Sequence, residues 1–549
     1  MTDAATMHAT MMHEPLGTAA IVAHGERIHA SSRIGLFDGE TVAWRSYRET
    51  AHRARKLASA LAAAGVARNT RVATLSWNDF AHFEAYLAVP AMGAVLHTLN
   101  LRLHVEQLDF IMRDAGDRVL IADADLLAGM GRELGALQDL DLLVVTGDVG
   151  RIAHLGIPCV AYEDFIAGHA PMEAFPEPDE TSAAAACYTS GSTGNPKGVV
   201  YSHRTVFLHS LGSMAANAFA LSDRDRILLL PPMFHANAWG LPFSGWLAGA
   251  DFVLPGRHLG PEMIRRMVRQ TAPTFTATVP TILNDLLAAD RADPIDMTSF
   301  RVIVAGGSSV SEALIEQVEA RWGVPLIQGW GMTETSPVCV LSHPPADVDP
   351  AESRRLRAKS GRPVAGVRVR IVDDDGKAVA EDGQSVGRLQ LRGAWIARGY
   401  HGGVGAEVLT ADGWLDTGDA GTIDERGYVQ VTDRLKDLIK SGGEWISSAE
   451  LENHICGLPG IDLAAVIAVP DPRWEERPLA IVTTRDGARP DFGALRAGLR
   501  SRVAGFWIPE YWAHAASLPL TGVGKIDKRA LREMVATGKT GFERVEGAA

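Results

Sequence analysis

The chain has 549 residues, of which 46% are hydrophobic and 22% charged, and its formal net charge is −13 at pH 7. This length exceeds what one hydrophobic core serves, so we expect two or more domains, and the acidic excess argues against a nucleic-acid partner. The four cysteines have no CxxC spacing, which indicates reduced thiols in a cytoplasmic protein rather than a disulfide set or a metal site.

The N-terminus carries no recognisable targeting signal. Residues 1–17 contain no basic segment followed by an apolar one, so no secretory signal is predicted. No run of about 18 apolar residues occurs anywhere in the chain, so the sequence predicts no transmembrane segment.

Helix and strand patterns alternate through the first third of the chain. Apolar residues at helical spacing predict helices over residues 45–65 and 80–92. Short apolar runs predict strands over residues 71–76, 118–121 and 142–146. This alternation indicates α/β layers built on largely parallel sheets. His97 could face a site, although a single histidine is more often a structural hydrogen-bonding residue.

A glycine-rich stretch follows the apolar run 183–187. Residues 188–198 read Tyr-Thr-Ser-Gly-Ser-Thr-Gly-Asn-Pro-Lys-Gly. Glycines let backbone N–H groups turn toward an anion, the hydroxyls add donors, and Lys197 adds a positive charge. The pattern predicts a phosphate-binding loop rather than a flexible linker. It is not a Walker A loop, because Lys197 lies between Pro196 and Gly198.

A candidate pocket wall comes next, at residues 231–240, which read Pro-Pro-Met-Phe-His-Ala-Asn-Ala-Trp-Gly. This composition disfavours a helix, and its large rings can shape an apolar cavity. His235 can hydrogen-bond a carboxylate. Taken alone, Trp239 is equally consistent with an ordinary core position.

Two glycine turns follow predicted strands. The first ends the strand in residues 301–310, and the second lies in residues 326–337, Leu-Ile-Gln-Gly-Trp-Gly-Met-Thr-Glu-Thr-Ser-Pro. Ligands of open α/β sheets bind beyond the carboxyl ends of the strands, so we expect a nucleotide there. Trp330 supplies a flat ring and Thr333 a hydroxyl, and the Glu334 carboxylate beside a phosphate loop suits Mg²⁺.

The last third carries an acidic turn, a charged run and a C-terminal lysine. Asp419 follows a tight turn and is suited to binding ribose hydroxyls. Residues 433–438, Asp-Arg-Leu-Lys-Asp-Leu, read either as a solvated surface or as an interdomain hinge. Residues 439–549 predict a small α/β domain with helices at 448–456 and 492–502 and strands at 464–469 and 480–484. Lys525 lies on a glycine-flanked loop near its end.

Together these stretches resemble the adenylate-forming superfamily, which comprises acyl-CoA synthetases, firefly-type luciferases and the adenylation domains of nonribosomal peptide synthetases. The resemblance spans roughly residues 30–530 and rests on six motifs in the family order. Residues 233–243, 433–438 and 474–479 are most similar to bacterial medium- and long-chain fatty acyl-CoA synthetases.

The resemblance implies an architecture and a reaction. The fold would be α/β, with a large N-terminal domain of layered α/β subdomains (1–432), a hinge (433–438) and a small mobile C-terminal α/β domain (439–549) that carries the catalytic lysine. In the reaction, a carboxylate attacks the α-phosphate of ATP with Mg²⁺ present and forms acyl-AMP. After a domain rotation, CoA displaces AMP and a thioester results.

The resemblance also implies site residues. The catalytic set would be Lys525, Thr333, Glu334 and His235, with Mg²⁺ held by Glu334 and Thr189 and the hinge centred on Lys436. The acyl pocket would comprise His235, Trp239, Val279, Gly306 and Trp330, and the CoA channel Gly442, Gly443 and Trp445. ATP would contact Thr189, Ser190, Gly191, Ser192, Thr193, Gly194, Lys197, Gly307, Ser308, Gly329, Trp330, Gly331, Met332, Thr333, Asp419 and Arg434.

Two positions depart from the family pattern. Residues 519–525 read Pro-Leu-Thr-Gly-Val-Gly-Lys, where arginine commonly follows the proline and serine or alanine follows the threonine. Trp330 stands where many relatives have tyrosine, and its wider indole would narrow the adjoining acyl pocket.

Several functions are compatible with these motifs. The leading hypothesis is an AMP-forming ligase for a medium- or long-chain fatty acid. The alternative is the same chemistry on a short, branched, aryl or thioether acid such as 3-(methylthio)propionate. Amino-acid activation is disfavoured because residues 234–237 contain no acidic residue that could bind the amino group. The motifs do not distinguish an acyl-CoA ligase from a luciferase-type oxygenase. A remote alternative is a non-catalytic nucleotide- or acyl-binding protein. A homodimer is implied by the resemblance alone.

Overall fold

The structure is a computed structural model that describes residues 10–130, 133–177, 179–189, 195–405, 408–441, 444–520 and 526–545. The strands, in chain order, are β1 (Arg33–Phe37), β2 (Val42–Ser46), β3 (Arg71–Leu75), β4 (Val95–Thr98), β5 (Val119–Asp123), β6 (Leu142–Thr146), β7 (Val160–Ala161), β8 (Ala183–Thr189), β9 (Lys197–Ser202), β10 (Arg226–Leu228), β11 (Asp251–Leu254), β12 (Phe275–Thr278), β13 (Val302–Ala305), β14 (Leu326–Gly331), β15 (Val338–Leu341), β16 (Arg362–Pro363), β17 (Val367–Val372), β18 (Gly387–Gly393), β19 (Leu415–Ile423), β20 (Val429–Arg434), β21 (Ile439–Ser441), β22 (Glu444–Ile446), β23 (Ile461–Asp471), β24 (Glu475–Thr484), β25 (Tyr511–His514) and β26 (Glu543–Arg544).

The helices pack on both faces of these strands. In chain order they are α1 (Thr18–Ile28), α2 (Tyr47–Ala63), α3 (Phe80–Ala91), α4 (Val105–Ala115), α5 (Ala124–Met130), α6 (Tyr162–Ala167), α7 (His203–Met214), α8 (Leu241–Ala248), α9 (Pro261–Thr271), α10 (Pro280–Asp290), α11 (Glu312–Trp322), α12 (Pro350–Ala358), α13 (Ser448–Cys456), α14 (Phe492–Leu499) and α15 (Lys528–Ala536).

Within the described ranges the strands form four sheets. The first has the order β16-β15-β14-β13-β12-β10-β11-β1-β2, and the second has the order β7-β6-β5-β3-β4-β8-β9. Both are mainly parallel, with antiparallel strands at their edges. The third, β17-β18-β19-β20, is antiparallel. The fourth contains β21 to β26 and is antiparallel except for the pair β24–β25. The prediction of largely parallel sheets therefore holds for the first two sheets only.

Local signals in the sequence place the helix starts. At α2, Ser46 accepts a hydrogen bond from the Glu49 backbone N–H, and the Glu49 carboxylate accepts one from the Ser46 N–H. Such a reciprocal cap satisfies two of the free donors at a helix start. The preceding residues form β2, so the helix predicted from residue 45 begins at Tyr47.

The helices between the two large sheets meet in an aromatic core. The Tyr47 ring stacks on Trp246 with ring centroids 3.9 Å apart, and its hydroxyl donates to the Ala250 carbonyl at 2.5 Å. A methyl group at Gly25 would lie 2.1 Å from the Trp246 indole nitrogen, so α1 can approach α8 only with glycine there. These contacts hold the two large sheets together, and the candidate site lies between them.

The α/β fold class with a large N-terminal and a small C-terminal part is confirmed. The predicted helix Ser448–Cys456 and strand Leu142–Thr146 are found with the predicted bounds. His97 is a structural residue, because its Nδ1 lies 2.8 Å from the buried carboxylate of Asp117. The four cysteines are free thiols. In the described part of the chain, no helix combines the length and apolar character needed to cross a membrane.

Buried neutral histidines make the stability of this fold depend on pH. Burial lowers the pKa of His82 to about 4 and that of His209 to about 3. Each accepts a hydrogen bond as neutral imidazole, His82 from the Thr74 hydroxyl and His209 from the Val338 N–H. In the unfolded chain both regain a pKa near 6.5 and take up protons below that pH.

We therefore expect the contribution of these histidines to the free energy of unfolding to fall as the pH decreases from about 6.5 to about 4. The expected slope is about 1.4 kcal/mol per pH unit for each histidine that gains a proton on unfolding. Urea denaturation at pH 7.5, 6.0 and 5.0 measures it. The variant His209→Gln keeps an acceptor for the Val338 N–H and should have a shallower slope. An unchanged slope would contradict the assignment.

Candidate active site

The candidate site lies at the carboxyl ends of strands from both large sheets. Strand β8 of the second sheet ends at Thr189, and strands β13 and β14 of the first end at Ala305 and Gly331. The two edges are joined by a hydrogen bond of 2.8 Å from the Tyr201 hydroxyl to the Thr333 carbonyl. A crevice beyond strand ends is where ligands bind in α/β folds.

The hairpin of β8 and β9 brings the two ends of the glycine-rich stretch together. Thr189 and Lys197 are directly paired across the strands, and the Thr189 hydroxyl donates to the Lys197 carbonyl at 3.4 Å. The Lys197 ammonium lies 5.1 Å from the centroid of the Tyr400 ring. The cation predicted to follow a phosphate tail thus lies at the base of the loop, beside an aromatic face.

Glu334 and Lys197 both contact Tyr400. The Tyr400 hydroxyl donates to Glu334 Oε1 at 2.5 Å, and the Ala397 N–H donates to the Glu334 carbonyl at 2.8 Å. The side chain of Glu334 is buried. Tyr400 was missed in the sequence, although it follows Arg398 and Gly399 in a turn-forming Arg-Gly-Tyr.

This donor set fits a magnesium ion only if the ligand supplies further oxygens. In the described part of the chain, no group of three or more His, Cys, Asp or Glu side chains could hold a metal. Glu334 offers one carboxylate, and Thr189 offers a hydroxyl. Mg²⁺ is commonly held by one or two carboxylates together with substrate phosphates, so the residues present fit such an ion.

The end of β14 requires a glycine. A methyl group at Gly331 would lie 1.8 Å from the Pro337 carbonyl oxygen, and the strand pairing shifts between Trp330 and Gly331. The half-buried Trp330 is held through its carbonyl, which lies 3.2 Å from the Cys339 thiol. Met332 follows and begins the short turn at Thr333–Thr335, which presents the hydroxyl and carboxylate predicted from the sequence.

Three residues of the predicted acyl pocket, Trp239, Val279 and Gly306, lie at one wall. A methyl group at Gly306 would lie 2.7 Å from the Gly329 carbonyl oxygen and 2.9 Å from the Trp239 indole. Gly307 has a φ of +82°, and a methyl group there would lie 3.4 Å from Val279. Because glycine has no side chain, the indole of Trp239 can pack against the backbone at the ends of β13 and β14. Ser308 follows on the exposed surface.

The chain reaches Trp239 through a left-handed turn. The φ angles are 43° at Ala236, 50° at Asn237, 49° at Ala238, 60° at Trp239 and 74° at Gly240. This conformation costs about 1–2 kcal/mol for each non-glycine residue, so surrounding contacts must impose it. His235 immediately precedes the turn and is partly exposed.

Two residues far away in the chain hold the segment that leads into this turn. The Asn78 amide donates to the carbonyls of Leu229 (2.8 Å) and Pro231 (2.9 Å), and its oxygen accepts the Met233 N–H at 2.7 Å. The Tyr86 hydroxyl bonds to the Met233 carbonyl and lies 3.3 Å from Asn237 Oδ1. Neither residue has a sequence signal, because a single Asn before a helix and a single Tyr within it do not reveal their distant partners.

The predicted ribose residues are paired across neighbouring strands. Asp419 on β19 faces Arg434 on β20, and Arg434 Nε lies 2.8 Å from Asp419 Oδ1. The carboxylate is buried while the guanidinium is half exposed, so the pair lies at the mouth of a site.

Some predicted residues are not tested by this geometry. Lys436 lies in the linker, where its carbonyl accepts a hydrogen bond from Arg532 at 3.4 Å, and Trp445 belongs to β22. The remaining ones lie outside the described residues, and their roles stay predictions: Ser190, Gly191, Ser192, Thr193, Gly194, Gly442, Gly443 and Lys525.

We expect Asn78→Ala to lower the free energy of unfolding by about 3 kcal/mol, because it leaves buried backbone groups around Met233 without partners. Asn78→Asp keeps the acceptor for the Met233 N–H but sets a carboxylate against two carbonyl oxygens, so it should not restore stability. Urea denaturation measures both variants. A loss below 0.5 kcal/mol for Asn78→Ala, roughly that of an ordinary surface substitution, would contradict this role.

Family models and curated relatives match nearly the whole chain. The model of the AMP-binding enzyme family matches residues 23–401, and that of the AMP-binding enzyme C-terminal domain matches residues 450–525. A 3-methylmercaptopropionyl-CoA ligase of Ruegeria pomeroyi is 40% identical over 541 residues, covering 97% of this chain and 100% of the relative. A long-chain-fatty-acid–CoA ligase of Thermus thermophilus is 43% identical over 494 residues, covering 89% of this chain and 90% of the relative. A medium-chain-fatty-acid–CoA ligase of Ectopseudomonas oleovorans is 38% identical, covering 96% of this chain and 97% of the relative.

Solved structures share the fold. The anthranilate CoA ligase AuaEII in complex with anthranoyl-AMP matches with a TM-score of 0.85 at 24% identity, covering 97% of this chain and 100% of that one. ATP-bound MatB from Rhodopseudomonas palustris matches with a TM-score of 0.80 at 24% identity, covering 95% of this chain and 99% of that one. The resemblance inferred from the motifs is thereby confirmed. The chain belongs to the AMP-binding enzyme family, among its AMP-forming acyl-CoA synthetases.

Proposed function

We propose that this protein activates a medium- or long-chain fatty acid as its acyl-adenylate and transfers the acyl group to CoA. The observation that carries the proposal is the juxtaposition at the strand ends. The group formed by Lys197, Tyr400 and Glu334 lies on one side, and the Trp239 wall at Gly306 lies on the other. A polar phosphate site beside an apolar wall suits a substrate that joins a nucleotide to an acyl chain.

In the first step the carboxylate oxygen attacks the α-phosphorus of ATP, and the bond to pyrophosphate breaks. We assign the β- and γ-phosphates to the loop at Thr189–Lys197 and the ribose to Asp419 and Arg434. Glu334, with Thr189, would hold Mg²⁺, which neutralises phosphate charge when it is bound. Thr333 would donate to the α-phosphate, and Lys525 would stabilise the charge that develops between carboxylate and phosphate.

In the second step the thiol of CoA attacks the acyl carbon, loses its proton, and AMP leaves. We assign the thiol path to Gly442 and Gly443, with Trp445 beside them, and the reorientation between the steps to a rotation about residues 433–438. Glycines suit a narrow channel because they leave room for the pantetheine arm. The domain bounds of 1–432 and 439–549 belong to this proposal, as do a homodimer and a cytoplasmic location.

The acid itself has two candidates, and each has a supporting observation. The long-chain and medium-chain ligases among the relatives support the fatty acid. A groove of about 640 Å³ lies between β9 and residues 395–404, but none of the predicted acyl-pocket residues lines it. The cavity directly behind the left-handed turn, between Tyr201, His209 and Phe243, measures only about 10 Å³. A cavity of this size holds no acid and does not discriminate between the candidates. The full-length similarity to the 3-methylmercaptopropionyl-CoA ligase of Ruegeria pomeroyi supports the short thioether acid.

The substrate is tested by AMP release with ATP, Mg²⁺ and CoA across propionate, 3-(methylthio)propionate, benzoate, octanoate and palmitate. We expect the highest kcat/KM at eight or more carbons. The Trp239 indole fills the space at Gly306. Trp239→Ala should therefore raise the ratio of kcat/KM for longer over shorter acids by about tenfold. A maximum on propionate, 3-(methylthio)propionate or benzoate would keep the ligase chemistry and contradict the fatty-acid assignment.

The chemistry is tested separately by Lys525→Ala. Loss of a cation at developing charge should reduce acid-dependent ATP–pyrophosphate exchange by about 10²–10³-fold. Lys377→Ala is the control, because the Lys377 side chain is 76% exposed and lies in the N-terminal part. If the exchange proceeds at the same rate in Lys525→Ala, the catalytic assignment is wrong. If the parent protein turns over no acid but binds ATP, it is a binding protein.

A further inference from the structure

A carboxylate on the third sheet caps a helix of the C-terminal part. Asp433 lies near the end of β20, and its Oδ2 accepts the backbone N–H groups of Ser448 at 2.6 Å and Ala449 at 3.2 Å. The Ser448 hydroxyl also donates to this oxygen. The side chain is buried, so these donors replace its water. A negative charge at this position satisfies free N–H groups and opposes the positive end of the α13 dipole.

The same serine connects the cap to the segment that follows the catalytic loop. The Lys528 ammonium donates to the Ser448 hydroxyl at 2.5 Å and lies 2.8 Å from Glu452 Oε1. Glu452 also accepts the Val466 N–H at 2.7 Å, which fixes it against β23. Lys528 begins α15, so these contacts hold the start of that helix against α13.

Ion pairs hold the linker, residues 433–438, near both of its ends. On one side, Arg434 turns back to Asp419 of the third sheet. On the other, Asp437 pairs with Arg532 of α15. Contacts from Lys528 to Ser448 and Glu452 lie within the C-terminal part, whereas those from Asp433 to Ser448 and Ala449 cross the linker.

A rotation about the linker separates these two classes of contact. Asp433 stays on the strand that pairs with β19, while Ser448 moves with α13. The bonds across the linker must therefore break, whereas those of Lys528 persist. Breaking them leaves a buried carboxylate and two N–H groups without partners unless water or other donors replace them.

We propose that Asp433, through Ser448 and its partner Lys528, holds the C-terminal part in the orientation described here and so sets the balance between the two half-reactions. Asp433 and Lys528 are positioning residues rather than catalytic ones. The assignment to half-reactions rests on the proposed function. The restraint that Asp433 places on the linker through Ser448 and Ala449 does not.

The first experiment compares the half-reactions in Asp433→Ala. Adenylation is followed by acid-dependent ATP–pyrophosphate exchange, and thioester formation by AMP release from acyl-AMP with CoA. We expect the ratio of the two rates to change at least tenfold, because only one of them uses the described orientation. Asp433→Asn keeps an acceptor for the Ser448 and Ala449 N–H groups and should change the ratio less than threefold. Lys528→Ala should change it in the same direction as Asp433→Ala.

A matched control separates positioning from stability. Asp491 caps α14 by accepting the N–H groups of Gly493 at 2.9 Å and Ala494 at 3.2 Å, entirely within the C-terminal part. Asp491→Ala should lower the melting temperature to a similar extent and leave the ratio within twofold of the parent. If Asp433→Ala reduces both half-reactions by the same factor, its role is structural and the proposal is overturned.

A second experiment does not need a substrate. Trypsin can cut the linker after Arg434 and Lys436, which directly follow Asp433 and contact Asp419 and Arg532. Loss of the cap should expose this segment. We expect cleavage in Asp433→Ala to be at least fivefold faster than in the parent and in Asp491→Ala. Unchanged cleavage would overturn the proposal even in an inactive protein. Faster cleavage in a protein that catalyses neither half-reaction would support the hold on the linker and contradict the proposed function.

Discussion

Close backbone contact between the ends of β13 and β14 is the constraint on which the candidate site depends. Gly306 leaves room for the Gly329 carbonyl and for the indole of Trp239, and Gly331 leaves room for the Pro337 carbonyl. Any side chain at these positions would push the two strands apart. Thr333 and Glu334 follow the end of β14 directly. The first sheet therefore fixes the distance between the apolar wall and these polar residues.

The sequence gives a local signal for those candidate site residues whose chemistry is contained in a single stretch. Glycine turns, a lysine after a hydroxyl-rich loop and a carboxylate beside an aromatic residue can be recognised within single stretches. The ends of β8 and β14 belong to different sheets, so their closeness follows from how the sheets pack and not from either stretch alone. The pairing of Asp419 with Arg434 follows from the same motifs, although the antiparallel sheet that produces it was not predicted.

The parts that the sequence could not predict depend on contacts between distant residues. Asn78 and Tyr86 act on residues about 150 positions later, with separations of 155 and 147 residues for their bonds to Met233. The charged run 433–438 was read as a solvated surface or a hinge, yet Asp433 and Asp437 are buried because α13 and α15 cover them. Composition alone does not reveal which charges a neighbouring element will cover.

The left-handed turn at Ala236–Gly240 has a consequence for the order in which the molecule folds. Its four non-glycine residues cost about 4–8 kcal/mol in total, which is comparable to the stability of a whole domain. Such a conformation cannot persist in an isolated segment. It can form only after the long loop between Asn78 and Met233 has closed, which makes it a late event in folding. The pocket wall is therefore held in shape by tertiary contacts and not by its own sequence.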